Sequence, residues 1–353
     1  MKIAVAIPTR EAAGGVASAQ WIFAVALRVQ GADVRCLVPT ARWVELLERL
    51  IPRKFRDFLV DARAPNQARV FSPRFVLAAD WYSLWHKRHT GIPIFHGGYG
   101  LTLRYASPPT ILGRAKTKLL WWLQRRAARR APIFIAVSRE AMEMFGLPNG
   151  RVCLNAMDLD RLRPVADRDK LAAKYRLGLN GDVVMMAGRW SLEKRLESVL
   201  DLPRRKGRRY LVCIPGDGEA HRFAAHCSER ADILVRSFPR GIPEDVWSAV
   251  DCVYMPSRYE GCSLVWIEAA ARGIPVVGTQ VGHVLELAEM HPELDDLLLP
   301  RDDLSLAGEK IDAALAGRTE WHVRMRDIAE RHHDIHRTGA RLMALLQEAE
   351  AME

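Results

Sequence analysis

Residues 254–282 read YMPSRYEGCSLVWIEAAARGIPVVGTQVG, and this stretch decides the architecture. The apolar run that enters it, 252–255 (CVYM), and the one that leaves it, 275–278 (PVVG), are each short enough for a strand. Between them LVWIEAAA has the length and composition of a helix. That helix is expected to start at Cys262 or Ser263, with Ser263 as its N-terminal cap. The unpaired N–H groups of Gly261, Cys262, Ser263 and Leu264 would then face an anion, a diphosphate being the fitting kind. Glu260 sits in the loop just before that anion site, and Glu268 about a turn and a half into the helix. An elongated ligand fits the pair, with a carboxylate at each end and phosphates between them. Two Glu residues in a helical stretch are more often solvated. Here, however, the surrounding helix is apolar, and a carboxylate on a mostly buried element is costly unless it is paired or bound.

Working outward, strand and helix alternate along the whole chain. Apolar runs at 2–7, 33–38, 92–95 and 133–137 form a first series, and those at 183–187, 210–214, 232–236, 252–255, 275–278 and 296–299 a second. A helix is expected over 16–30, closed by Gly31. Near-continuous apolar strands separated by helices are the mark of buried parallel sheets. The two series meet near 160–181, where Pro164 lies among charged residues. Two domains are therefore expected, 1–165 and 166–320. A charged helical segment, 321–353, has too few apolar positions for a third core and can pack back on the N-terminal domain.

Two further signals follow strands of the second series. Gly188 ends an apolar run, and Arg189 and Lys194 come after it at a spacing of five. Strand-to-helix turns are where open α/β sheets bind ligands, and two cations there suit a diphosphate without a metal. Read alone, the same two cations could simply be exposed on a surface helix. Gly216-Asp217-Gly218-Glu219 directly follows another strand, and by itself is as readily an ordinary turn.

Composition narrows the class. The chain has 353 residues, of which 49% are hydrophobic and 27% charged, values of a globular protein rather than a disordered one. No leader or membrane-spanning run is recognised, and a cytoplasmic setting is expected. The six cysteines form no C-x-x-C pair and are expected to be buried reduced thiols. The net charge of +10 is uneven: residues 1–165 hold 26 basic and 11 acidic side chains, and residues 166–353 hold 26 and 31. The basic half implies an anionic partner, with nucleic acid, an anionic membrane surface and an acidic substrate all open on charge alone.

Taken together, the motifs resemble the GT-B-fold glycosyltransferases of family 4, the glycosyltransferase group 1 class. The resemblance rests on Gly188-Arg189 with Lys194, on Gly216-Asp217-Gly218, on Pro256-Ser257 through Glu260 and Glu268 to Pro275, and on Val281-Gly282-His283 with Glu286. In the N-terminal half it rests more loosely on Gly14-Gly15, Phe95-His96-Gly97, Ala136-Val137-Ser138 and Asn155-Ala156-Met157-Asp158. Three positions depart from the pattern. Ala156 and His283 stand where glycine is commoner, and 286–299 lacks the usual glycine before its strand.

The resemblance implies two Rossmann-like domains whose parallel sheets face across a cleft. It implies a transferase that moves a sugar from a nucleotide sugar to a glycan or lipid-linked acceptor, with retention of configuration. Arg189 and Lys194 would neutralise the diphosphate, Glu268 would bind the ribose, and Glu260 and His96 would lie at the transferred sugar. Gly15, Gly188, Gly216 and the Gly261–Leu264 turn would complete the donor cradle. No metal or other cofactor is expected. Two other readings stand beside it: a GT-B-fold nucleotide-sugar epimerase, and a nucleic-acid-binding protein, which lacks any recognisable reading module. Oligomeric state is left open.

Residues 114–130, RAKTKLLWWLQRRAARR, set a Leu/Trp cluster between basic groups. This is the pattern of a helix lying on an anionic bilayer, peripheral on the inner face of the cytoplasmic membrane. It is equally that of a domain helix packed on its sheet with solvated cations, and both can hold at once.

Overall fold

A computed structural model describes residues 1–6, 15–37, 73–79, 90–164, 166–239 and 241–352. Gly14 of the glycine pair and the ends of the first two expected strands, at 7 and 38, lie outside the described residues.

The chain divides into two compact units, residues 1–156 with 332–353, and residues 157–331. These breaks correct the expected ones at 165/166 and 320/321. The reason lies in two polar clamps. The guanidinium of Arg326 donates to the carbonyls of Leu162 (2.5 Å) and Ala271 (2.7 Å), so the linker before Pro164 already belongs to the second unit. Buried His333 lies 2.8 Å through Nδ1 from the Asn155 carbonyl, inside the first unit.

In the first unit β1 (Lys2–Ala6), α1 (Gly15–Val29), β2 (Asp33–Leu37), β3 (Phe75–Ala79) and β4 (Thr90–Phe95) are followed by α2 (Gly98–Tyr105) and α3 (Ile111–Arg130). Then come β5 (Phe134–Ala136), α4 (Arg139–Glu143) and β6 (Gly150–Val152). The described strands form one parallel sheet in the order β2-β1-β3-β4-β5-β6. β3 and β6 were not anticipated. FVLAA is too Ala-rich to declare a strand, and GRV has one apolar residue, so its strand character comes only from pairing with β5.

The second unit holds α5 (Asp167–Arg176), β7 (Asp182–Ala187), β8 (Arg208–Ile214), α6 (Asp217–His226), β9 (Ile233–Ser237), α7 (Glu244–Ala249) and β10 (Cys252–Met255). It continues with α8 (Leu264–Ala271), β11 (Val276–Thr279), α9 (His283–Met290), β12 (Leu298–Leu299), α10 (Ala307–Ala316) and α11 (Arg318–His332). Its parallel sheet runs β12-β11-β10-β7-β8-β9. This is the doubly wound order in which the winding reverses between the first and fourth strands, here β7 and β10. In a sheet of this order the ligand sits beyond the carboxyl ends of those two strands. β7 runs out into Gly188-Arg189 and β10 into Pro256-Ser257.

The last helix, α12 (Ile335–Ala351), packs on α1. At Gly339 the approach is so close that a Cβ would stand 2.4 Å from the Ala26 carbonyl oxygen. Leu342, Leu345, Leu346 and Ala349 of α12 are buried, so the tail is part of the first unit's core. All six cysteines are free thiols, five of them buried, and burial pushes Cys153, Cys213 and Cys252 up to about 12.

α3 is the basic helix. Thr117, Gln124, Ala127 and Ala128 face inward, and the Trp121 ring packs at a tilt against Phe145, centroids 4.7 Å apart. The opposite face is not simply polar: Ile111 (81% exposed), Leu112, Leu119 and Trp122 (54%) stand in solvent among Lys and Arg. Arg126 lies 5.5 Å over the Trp122 ring. No acidic residue interrupts the helix.

Candidate active site

The candidate residues divide between the units. Gly15 and His96 belong to the first, and Gly188, Arg189, Lys194, Gly216, Glu260, Gly261, Cys262, Ser263, Leu264 and Glu268 to the second.

Within the second unit the residues after β7 and β10 are stitched together. Lys194 Nζ lies 2.5 Å from Glu260 Oε1, and the same oxygen accepts the Ser257 hydroxyl at 2.7 Å. One residue back, Arg189 pairs with Glu193 at 2.5 Å, and Glu193 Oε2 accepts the Tyr259 hydroxyl at 2.9 Å. The Arg258 amide donates to the Glu193 carbonyl at 2.7 Å. Arg189 and Lys194 thus each have a carboxylate partner, Glu193 and Glu260. The segment carrying them is a loop leading into a short 3-10 turn (Leu196–Leu200) and not a surface helix, although Arg189 is 67% exposed. Sequence reasoning named Lys194 and Glu260 but missed Glu193, Tyr259 and Ser257. Their only signal was adjacency to the two motifs.

Two glycines make the close approaches. A Cβ on Gly188 (φ +151°) would stand 3.3 Å from Cγ of Lys194, so the lysine stem lies along bare backbone. A Cβ on Gly282 (φ +59°) would meet the Gly261 carbonyl oxygen at 2.4 Å and that of Glu260 at 2.7 Å. This packing, with the His283 amide donating to the Gly261 carbonyl at 2.9 Å, fixes the turn before α8. His283 itself is fully buried with its ring edge-on to Trp266 at 5.1 Å.

Ser263 caps α8 as the sequence predicts, its Oγ accepting the Trp266 amide at 3.4 Å, and the first helical residue is Leu264. The helix buries Trp266 and Ile267 and turns Glu268 to a partly buried position. Among the described residues the Glu268 carboxylate makes no hydrogen bond or ion pair; Arg272 donates to its backbone carbonyl instead, at 3.0 Å. Burial raises its pKa to about 7, with Arg272 opposing and Glu244 adding to the rise. Gly216 caps α6, whose Glu219 accepts the Trp190 amide. The GDG turn is therefore tied to the residue after Arg189.

In the first unit His96 follows β4. Its Nε2 is 3.2 Å from Nε2 of the fully buried Gln20 on α1, and the Phe23 ring lies 5.9 Å away. Burial lowers its pKa to about 4, with nearby Asn155 opposing, so the imidazole is neutral at pH 7. Gly15 is the first residue of α1.

Two six-stranded parallel sheets with these topologies define the GT-B class of fold. A sucrose-phosphate synthase from Thermosynechococcus elongatus has the same fold, with a TM-score of 0.79 at 18% identity over 99% of both chains. So has Anabaena HepE in complex with UDP-glucose, with a TM-score of 0.73 at 16% identity over 99% of this chain and 100% of that one. Residues 181–317, all within the second unit, match the family model described as "Glycosyl transferases group 1". Over 202 residues the chain is 33% identical to the lipopolysaccharide core biosynthesis mannosyltransferase LpsB of Rhizobium meliloti, covering 53% of this chain and 56% of LpsB. The chain spans about half the length of the curated relatives it matches.

Proposed function

We propose that the protein is a retaining glycosyltransferase that moves a sugar from a nucleotide sugar to a glycan or lipid-linked acceptor of the cell envelope. The observation that carries the reading is the Lys194–Glu260 pair at the point where the sheet's winding reverses, beside the capped N-terminus of α8. LpsB, a lipopolysaccharide mannosyltransferase, supports the class of acceptor, and HepE, solved with UDP-glucose, the class of donor.

In this reading the diphosphate lies between the amides at Gly261–Leu264 and the side chains of Arg189 and Lys194, with Gly188 and Gly216 leaving backbone room. An ammonium has three donors, and Glu260 takes one of those on Lys194. The others meet the phosphate oxygens as negative charge grows on them during cleavage of the glycosidic bond. Glu260 accepts from the hydroxyls of the transferred sugar. Glu268 accepts from the ribose. Fixed cations do the work that a metal does elsewhere, so no metal is required. The experiment is nucleoside-diphosphate release from a nucleotide sugar, the donor being chosen as the one that most raises the Tm in a panel. Lys194→Ala and Arg189→Ala are each expected to lower the rate by about 10²-fold or more. Unchanged rates in both would remove the diphosphate assignment.

The outer face of α3 is the proposed membrane contact, on the inner face of the cytoplasmic membrane. Its exposed Trp122 and Leu119 sit at headgroup depth and its Lys and Arg on anionic lipid. No helix among the described residues is long and apolar enough to cross a membrane.

A further inference from the structure

Arg195, next to Lys194, is the one non-glycine among the described residues with a left-handed backbone, φ +49°. Such a conformation persists only where the surroundings over-determine it. Here the side chain does so. Nε donates to the Pro256 carbonyl at 2.5 Å, and Nη2 donates to the carbonyls of Ser257 (3.2 Å) and Arg301 (2.7 Å). The Arg195 carbonyl in turn accepts the Ser198 hydroxyl at 2.8 Å. One guanidinium therefore joins three segments: the loop after β7, the loop after β10, and the exit of β12. All three acceptors are backbone carbonyls. The Ser257 carbonyl also accepts the Thr279 hydroxyl at 2.5 Å, which brings in β11. A planar fork of donors can reach acceptors in several directions, and a single ammonium at the end of a lysine cannot do so with the same geometry.

We propose that Arg195 is a positioning residue of the donor site: its clasp on Pro256, Ser257 and Arg301 sets the approach of Lys194 to Glu260. The inference rests on the donor-site reading above. It explains why a turn that glycine would make without strain carries an arginine. The backbone turn aims Lys194 at Glu260, and the side chain of the next residue holds the loop from which Glu260 comes. Burial of the guanidinium lowers its pKa, and nearby Arg258 adds to this, but it stays a cation at any working pH.

The test is a double-mutant cycle in the full chain, read as the Kd of the donor selected by the thermal-shift panel and as the rate of nucleoside-diphosphate release. Arg195→Ala, Arg195→Gly and Arg195→Lys are each expected to lower release by about tenfold or more. Glycine relieves the backbone but removes the clasp, and lysine keeps the charge and the stem but not the fork. In the Lys194→Ala background, Arg195→Ala should cost less than about threefold further, because its effect passes through Lys194. A purely stabilising role would give the same loss in both backgrounds, and that additivity overturns the proposal. So does a wild-type rate and Kd in either Arg195→Gly or Arg195→Lys. Should Arg195→Ala fail to fold, the lysine and glycine variants carry the test. If Lys194→Ala itself leaves donor binding and release unchanged, the donor-site reading fails first. If it abolishes them while the Arg195 variants do not, only the inference about Arg195 falls.

Discussion

Glu268 offers a quantitative test of the donor site through pH. Its partly buried carboxyl has a pKa raised to about 7, and none of the described residues gives it a hydrogen bond. A ribose hydroxyl donates to a carboxylate, so the ionised form binds and the protonated form does not. The apparent Kd is then the intrinsic one divided by the ionised fraction. That fraction is about one-eleventh at pH 6, about one-half at pH 7 and about ten-elevenths at pH 8 for a group of this pKa. Donor affinity should therefore fall about tenfold from pH 8 to pH 6. His96 and His333, both lowered to about 4, do not titrate in that window.

The assay is calorimetric titration with an intact nucleotide sugar between pH 5.5 and 8.5. A free nucleotide is unsuitable because its terminal phosphate titrates near pH 6. In Glu268→Gln the slope should disappear, leaving weak binding at every pH. Stability moves with it. The folded pKa lies above the ordinary carboxylate value, so the fold prefers the protonated form. The destabilisation is absent below the unfolded pKa, grows as pH rises, and is complete above about 7. The Tm of Glu268→Gln should accordingly gain on wild type between pH 5 and pH 8. A flat wild-type Kd, or a slope retained by Glu268→Gln, would refute the reasoning.

Three other outcomes follow from the same geometry. Removing Lys194 leaves Glu260, 9% exposed, with only the Ser257 hydroxyl, so Lys194→Ala should cost on the order of 3 kcal/mol. That is about 6–12 °C in the Tm of a unit this size, whereas Glu260→Gln, which leaves a more exposed cation, should cost about 1 kcal/mol; differential scanning calorimetry compares them. Donor turnover should be unchanged by EDTA, since Arg189 and Lys194 supply the positive charge; a loss restored by a divalent ion would contradict this. In liposome co-sedimentation the protein should bind anionic vesicles and lose that binding at high salt or in Trp122→Glu, and equal binding to neutral vesicles would count against α3 as the docking face.

Much of the second unit is legible in the sequence because its punctuation is local. Pro256, Gly261, Gly273 and Pro275 bound β10, α8 and β11, and Ser263 marks the cap at the residue where the structure has it. The conformations of Glu193, Tyr259 and Arg195 are not legible in the same way. Each is surface-typical in composition, and each acquires its role from a segment more than 60 residues away: Glu193 from Tyr259, Arg195 from Pro256 and Arg301. Pro164 misplaced the domain break for the same reason. A proline marks where a chain bends, but which unit the linker joins is decided by Arg326, a residue over 160 positions further on. Likewise the charged look of 321–353 hid five buried apolar positions in α12 (Ile335, Leu342, Leu345, Leu346 and Ala349) spaced for one helical face.

The second unit also shows how to separate a structural carboxylate from one awaiting a ligand. Asp251 is almost wholly buried, and it is satisfied three times: by Lys174 at 2.5 Å, by the Val183 amide at 2.8 Å and by Lys170 at 3.3 Å. Nothing is left for a ligand, and its position at the start of β10 is at the other end of that strand from Pro256-Ser257. Glu260 is satisfied twice, by groups that can share their hydrogens: a lysine with two further donors, and a hydroxyl whose oxygen still accepts. Glu268 is satisfied not at all among the described residues, and its pKa records that cost. A partly buried carboxylate with no protein hydrogen bond holds its charge at a cost, which a hydrogen-bond donor from a ligand would relieve. Along α8, five residues at 1.5 Å each put Glu268 about 7.5 Å along the axis from its cap. A ligand that begins at the helix N-terminus and extends that far, ending in hydroxyl donors, relieves it. A diphosphate followed by a ribose meets both requirements, whereas inorganic phosphate meets only the first.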